Sequence, residues 1–595
     1  MASEAKSSGV WLMSCSSLSL SLSPDSLSLS RRSPDCTSEI QPTHSVVFQS
    51  SAAAPHSRAC VLAERQEFTI YGLEPDGALR PGGPVPLVSR ATVGLLLNYM
   101  AIGALCAGIN SAIAPALSNY LQLPPYQVRA ASSVVNTAWN FKFVGGLVTD
   151  NVRIGRYRRK PYLVLGWLLC IVSLLYLGTS QVPLVDTPPL LAWRYVLCLT
   201  LGTTGYFLAN AAADAFVVDM AQREPLATRG YTQASICMAR VFGAIVMSLF
   251  VTATLNGSGH EPRLWWSIRL HHVMLVLAAF AVLPLLGSIW FLHEGPTVPT
   301  VPLLTFSSAL ACHGAPHQAP TLTFADRWQL TWRLLQSRAM WQVLMFELIA
   351  NICWSMDTTA KTAIEVDWFN VQTWPKAVAG AVWSVAYIGG FYFARCFLLR
   401  NEWRHLCCVA TLWSVFVDVL TVACTVFNVL RHRYFWLYMQ VLAAPALALR
   451  FLVLIFPIVE LAPRGIESTT YGLVVTFRTI AVPLATSAYK AMDSYFALSD
   501  DHVRRDLPST RSHICYTFGI GWAFQLVSLG LLGLLPRQKL EVHQLRYFGG
   551  YSIRSGWFIV FLLVSLILLV TTANVLSLFE STSCLFIAGG SGCKR

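Results

Sequence analysis

Four ionisable residues stand inside long apolar runs of this 595-residue chain: Lys142, Asp214, Arg240 and Arg478. Three cations and a carboxyl so placed suit two kinds of chemistry. The cations can hold an anion. The carboxyl can take up and release a proton, because burial disfavours its charged form. The alternative for each residue is an internal ion pair that holds helices together. A second charged feature is "GGLVTDNVRIGRYRRKP", residues 145–161, with two glycines, one aspartate and five cations between apolar segments. It is too short for a domain and too charged to lie in lipid.

The elements that must carry these residues follow from composition. The chain is 54% hydrophobic and 12% charged, with mean hydropathy +0.52, against about 25% charged residues in a soluble domain. Many stretches are long enough for the roughly 20 apolar residues of a membrane-spanning helix. Spans are predicted near 92–117, 127–149, 161–180, 191–220, 230–255 and 271–293, then near 340–360, 376–399, 405–428, 434–461, 469–497 and 515–536. A thirteenth apolar run covers 556–576. The expected fold is an all-α membrane protein of two six-helix bundles, 91–293 and 340–536, plus a C-terminal transmembrane helix. Residues 1–90, with the low-complexity "SCSSLSLSLSPDSLSLS", are expected to be a disordered cytosolic region. Residues 294–339 are expected to be a cytosolic linker ending in an interfacial helix, "FADRWQLTWRLLQSR", and 537–595 a basic loop, the extra helix and a tail.

With a cytosolic N-terminus, the loops on the inner side hold 17 Lys and Arg and those on the outer side 9, in the sense of the positive-inside rule. The sole Asn-x-Ser/Thr triplet, at Asn256, falls in an outer loop and is the glycosylation candidate. The net charge of +13 therefore reads as a topology signal and not as a nucleic-acid surface. The 16 cysteines show no Cys-x-x-Cys pair and no metal-ligand spacing, and no phosphate loop, His-Glu-x-x-His or Gly-x-Ser-x-Gly is present. No catalytic constellation, cofactor or metal is expected. The partners expected are the bilayer, a small molecule and a coupling proton, with a monomeric chain in the plasma membrane or, alternatively, an organelle membrane.

Charge is uneven among the spans. The third, sixth and twelfth carry none in their cores and the ninth only Asp418, so every third helix is expected to face lipid. Asp418 is unexplained unless it meets the thirteenth span. Lys142 lies eight residues inside Asp150, Arg240 ten beyond Gly230 and Arg478 eleven beyond Glu467. At 1.5 Å per residue these depths are about 12 to 16 Å in a core about 30 Å thick. A repeat relates "VVDMAQREPLATRGYTQASICMAR" (217–240) to "IVELAPRGIESTTYGLVVTFR" (458–478): an acid ends a span (Asp219, Glu460), an Arg-bearing loop follows, and a threonine precedes a mid-span arginine by eight residues. "GG" recurs at 145–146 and 389–390. Parallel six-helix repeats are a known transporter plan.

The 145–161 stretch resembles the loop signature between helices 2 and 3 of the major facilitator superfamily, through Gly146, Asp150, Gly155 and Arg156, then Arg158, Arg159 and Lys160. More narrowly, "WNFKFVGGLVTDNVRIGRYRRKPYLVLGW", "ANAAADAFVVDMAQRE" and "VELAPRGIESTTYGL" resemble the folate–biopterin transporter family over residues 90–540. The resemblance implies secondary active transport of folate, a pterin or a related metabolite by alternating access, coupled to protons. It marks Lys142, Asp150, Asp214, Asp219 and the Arg229–Gly230 pair. Substrate or ion binding is expected at Lys142, Asp214, Arg240 and Arg478, and at Asp357, which has Lys361 four residues on as a local partner. Gating is expected at Gly146, Asp150, Gly155, Arg156, Asp219, Arg229, Glu460 and Arg464. The alternatives are another substrate, such as S-adenosylmethionine or an amino-acid-like molecule, and a non-transporting receptor or scaffold.

Overall fold

The computed structural model describes residues 71–595 apart from 87–88, 121–122, 124, 156, 181–188, 256–267, 293, 295–322, 497, 499, 584 and 586–595. Arg156, Asn256 and the Ser-rich stretch lie outside the described residues. In lipid no water is available to pair backbone N–H and C=O groups, so helices that pair their own are the stable choice. The first bundle is α1 (Arg90–Pro115), α2 (Pro125–Asn136), α3 (Lys142–Asn151), α4 (Lys160–Thr179), α5 (Pro189–Ala221), α6 (Tyr231–Leu255) and α7 (Leu270–Trp290). After α8 (Phe324–Gln336) the second bundle holds α9 (Arg338–Trp354), α10 (Thr373–Phe393), α11 (Trp403–Val426), α12 (Ala444–Leu461), α13 (Glu467–Asp493) and α14 (Pro508–Gly530). Then come α15 (Lys539–Phe548) and α16 (Ile553–Leu576). Among the described residues, eleven helices are long and apolar enough to cross a membrane, α16 included.

Two expected spans are modified. The one near 127–149 is α2 and α3 joined by a 3₁₀ turn, Thr137–Phe141, so a backbone irregularity falls immediately before Lys142. The one near 340–360 stops as a regular helix at Trp354. The first core runs from Leu95 to Leu292. The second collects buried side chains of α8 to α13, α15 and α16 together with Ala234 of α6. Within the first bundle α1 and α6 touch backbone to backbone. A Cβ on Gly103 would lie 1.8 Å from the Arg240 carbonyl oxygen, and one on Gly243 would lie 1.9 Å from that of Met100. Small residues permit this approach, and it sets Arg240 beside α1.

Two expectations are corrected and one is extended. Disorder to residue 90 does not hold near its end, because residues 71–80 make the hydrogen bonds described below and α1 starts at Arg90. Asp418 does not meet the last helix: it accepts from Gln440 Nε2 (2.9 Å) and Trp522 Nε1 (2.7 Å), tying α11 to neighbours in its own bundle. α8 does more than lie along an interface. Its Arg327 is buried and donates to the Asp150 carbonyl at 2.8 Å, and burial holds that guanidinium down at about 10.

Candidate binding site and gate

A cavity of about 310 Å³ lies between the bundles. α1 contributes Tyr99, α6 Gln233 and Arg240, α10 Tyr387 and Phe391, and α13 Tyr471. Phe451 of α12 completes an aromatic wall, with Phe391 4.7 Å from Tyr387 and Trp383 stacked on Tyr387 at 4.8 Å. Such a wall suits a flat heteroaromatic ring, since offset and edge-on ring contacts are favourable.

The expected cations meet different fates. Lys142 Nζ pairs with Asp214 Oδ2 at 2.7 Å and donates to Asn210 Oδ1 at 2.8 Å. Both partners are on α5, four residues apart and so on one face. Tyr99 donates its hydroxyl hydrogen to Asp214, linking the pair to the cavity wall. Lys142 also sits 4.9 Å over the Tyr471 ring. Arg478 makes a fork to Glu347, Nε to Oε2 and Nη2 to Oε1, both 2.9 Å. Arg240 is different. It lines the cavity 5.2 Å over the Trp139 ring, and among the described residues it has no ion pair. Arg450 on α12 is similar: buried, 4.2 Å over Trp354, with its Nε lacking a hydrogen-bond partner. Around the cavity, four cations (Lys142, Arg240, Arg450, Arg478) thus stand near two carboxylates (Asp214, Glu347), and the surplus is positive. Asp357 does not join this group. It lies past the end of α9, half-exposed and 3.9 Å from Lys361.

The other charged residues tie the two bundles together at one face, the basic face that carries the 150–160 loop. Asp150 at the end of α3 accepts from the backbone N–H (2.7 Å) and hydroxyl (2.9 Å) of Thr469 at the start of α13. The N–H is one of the orphan donors of a helix N-terminus, where a carboxylate is favoured. Arg158 reaches Asp150 (3.3 Å) and Glu467 (3.4 Å), and Arg159 reaches Glu467 at 2.6 Å. Arg229 pairs with Glu460 of the other bundle at 2.6 Å, and His543 of α15 joins Glu460 at 2.7 Å. Gly146 is needed for contact: a Cβ there would meet the Ser468 carbonyl oxygen at 2.4 Å, and one on Gly472 would meet that of Lys142 at 2.4 Å. Gly155, by contrast, has open space around it and a φ of +66, so it serves the turn. Arg464 is exposed and donates to the Leu79 carbonyl. Asp219 binds Arg223 in its own loop and also Arg80.

Sequence reading missed Glu467, Thr469, Tyr99, Arg80 and His543. Glu467 and Thr469 were legible as helix-start residues after Arg464-Gly465, but their partners lie more than 300 residues away. Glu294 is a further addition: its carboxylate accepts from the N–H groups of Arg158, Arg159 and Lys160, holding the start of α4.

The BT1 family profile matches residues 107–543. Probable folate-biopterin transporter 4 of Arabidopsis thaliana is 27% identical over 139 residues, 23% of this chain and 27% of that protein. Folate transporter 1 of Plasmodium falciparum is 32% identical over 95 residues, 16% of this chain and 18% of that protein. The folate-biopterin transporter of a Synechocystis species is 29% identical over 190 residues, 30% and 33% of the two chains. The aligned stretches thus span a third or less of these relatives. A solved D-xylose-proton symporter superposes with TM-score 0.52 at 15% identity, over 75% of this chain and 98% of that one. The proton:xylose symporter XylE superposes with TM-score 0.51 at 13% identity, over 76% and 98%. At such identity the likeness concerns the fold, that of the major facilitator superfamily.

Proposed function

From the premise that this chain belongs to the BT1 family of folate–biopterin transporters, and is a multi-pass membrane protein of the major facilitator fold, we propose that it is a transporter that carries folate, a pterin or a related organic anion by proton-coupled alternating access. Residues 91–293 and 340–536 are the two moving halves, the basic face is cytosolic, α16 is a thirteenth span, and the plasma membrane is the expected site. The observation that carries the reading is Arg240, a cation in the cavity with no ion pair among the described residues, opposite an aromatic wall. Arg240 is part-buried; a cation drawn from water into a cavity normally has a partner, and a bound carboxylate supplies one. The surplus of positive charge around the cavity disfavours the sulfonium cation of S-adenosylmethionine.

Coupling to protons follows from the Lys142–Asp214 pair. A proton on Asp214 neutralises the partner of Lys142, so the site gains one uncompensated positive charge and attracts an anion more strongly. By linkage, a bound anion raises the proton affinity of the same site. Proton and anion thus load together, and release of either weakens the hold on the other.

The test is uptake of radiolabelled folic acid and biopterin by proteoliposomes, with and without an inward proton gradient. Gradient-driven uptake that is lost in Asp214→Asn supports the reading. Correctly inserted protein that takes up neither compound removes both from the substrate list.

A further inference from the structure

Residues 71–80 precede the first bundle and belong to neither half, yet they lie across the seam at the basic face. Leu79 and Arg80 donate their N–H groups to the Gln222 carbonyl (2.9 and 3.1 Å), and Leu226 N–H donates to the Asp76 carbonyl (3.1 Å). Arg229 donates to the Gly77 carbonyl. Those partners belong to the loop after α5, in the first half. The other side of the segment touches the second half. Arg464 of that half donates to the Leu79 carbonyl (3.1 Å), and Tyr547 of α15, which follows it in the chain, donates to the Tyr71 carbonyl (3.2 Å). Tyr71 and Leu73 form a small apolar cluster with Leu226 of one half and Leu540 of α15. A turn keeps the segment compact: Gly77 donates to the Glu74 carbonyl at 2.7 Å with φ +78, and Asp76 Oδ1 accepts from Ala78 N–H at 3.0 Å.

Arg80 is the centre of this arrangement. One of its guanidinium nitrogens pairs with Asp219 at the end of α5, and the other with Glu467 at the start of α13 at 2.5 Å. Its side chain is only 14% exposed, and those of Asp219 and Glu467 are 19% and 3% exposed. One planar fork therefore joins a carboxylate of each half, a task that suits arginine and not lysine. When the halves separate at this face, the fork has to release at least one of them.

We propose that residues 71–80 are a strap that holds the basic-face gate shut, with Arg80 as its clasp, so that the segment before the first helix sets how often the gate opens. The proposal rests on the alternating-access reading and is independent of the substrate. The strap adds to the gate energy of the closed state only, so loosening it shifts the population toward the state open at the basic face.

The experiment is hydrogen–deuterium exchange of the full chain in nanodiscs without substrate, comparing wild type with Arg80→Ala, Asp219→Asn and Asp150→Asn. In Arg80→Ala, peptides covering 143–152 and 462–473 are expected to exchange roughly tenfold faster, the order expected on removing one partner of a partly buried pair. Peptides at the far ends, 125–136 and 484–493, are expected to exchange more slowly. That opposite sign separates a shifted gate from local loosening. Asp219→Asn is expected to act in the same direction and more weakly, since Arg80 keeps Glu467, and it serves if Arg80→Ala does not fold. Faster exchange confined to 71–80, or equal change on both faces, overturns the strap. If Asp150→Asn, which breaks the gate itself, shows the reciprocal pattern and the strap variants do not, the strap alone is refuted. If no variant shows it, alternating access fails and the strap with it.

Discussion

Replacing Arg240 by glutamine separates a binding cation from a structural one. Arg240 has no ion pair among the described residues, so Arg240→Gln strands no paired carboxylate and removes a charge from a part-buried position. Stability is therefore expected to be unchanged or slightly higher. Arg478→Gln does the opposite: it strands Glu347, which is 1% exposed, and breaking a buried pair from one side costs about 3–5 kcal/mol. For the anion the order reverses. A charge-assisted hydrogen bond from Arg240 to a substrate carboxylate is worth about 1.5–3 kcal/mol, and 1.4 kcal/mol is about tenfold. KM for folate uptake is then expected to rise by about 10- to 150-fold in Arg240→Gln, with Tm held. The assays are initial-rate uptake in proteoliposomes and thermal unfolding of purified protein in detergent. The double variant Arg478→Gln/Glu347→Gln is expected to recover most of the stability lost in the single one. A KM for Arg240→Gln within threefold of wild type refutes the assignment. A Tm fall as large as that of Arg478→Gln shows that Arg240 is structural.

Three further outcomes are expected. Lys142→Ala and Asp214→Asn each leave a buried partner unpaired and are expected to lose about 3–5 kcal/mol of stability; the double variant should regain most of it while its uptake ignores the proton gradient, and gradient-driven uptake by the double variant argues against the coupling role. Gly146→Ala and Gly472→Ala place a Cβ 2.4 Å from backbone of the opposite half; overpacking of about 1–3 kcal/mol should hold the basic face open and slow turnover by about 5- to 150-fold, read as counterflow rate, and wild-type counterflow refutes the tight contact. Asp506, in a loop on the opposite face, accepts from Arg511 and Arg431, which hold its carboxyl down at about 2 against 3.8. A lowered carboxyl stabilises the folded loop above pH 3.8, and the contribution disappears as pH falls toward 2; protease protection of residues 500–511 should be constant from pH 7 to 4 and fall below that, whereas a loss already at pH 5 excludes this clamp.

Much of the architecture was legible in the chain. Eleven of the thirteen expected apolar spans appear as helices long enough to cross a membrane among the described residues, because lipid demands about 20 apolar residues per crossing; those near 127–149 and 340–360 do not. The charged link itself was legible, and the structure places Gly146 and Asp150 against the start of α13. Other features were not. Disorder through residue 90 was inferred from a Ser/Leu-rich start and wrongly extended to residues 71–80, whose order comes from Gln222, Arg229 and Arg464 across the fold. Asp357 looked like a site residue because it is a charge near an apolar run, yet it stands past a helix end that sequence placed six residues too late.

Sequence by itself determined which residues are embedded, because the cost of exposing backbone and charge to lipid is paid locally, span by span. It identified Lys142, Arg240 and Arg478 as buried cations but assigned them one common role. Only the tertiary structure distinguished them. Arg478 finds Glu347 131 positions away, Lys142 finds Asp214 72 positions away, and Arg240 remains without an ion pair on the cavity wall. A hydrogen-bonded ion pair needs its partners within about 3 Å, and those distances are set by how helices far apart in sequence come together.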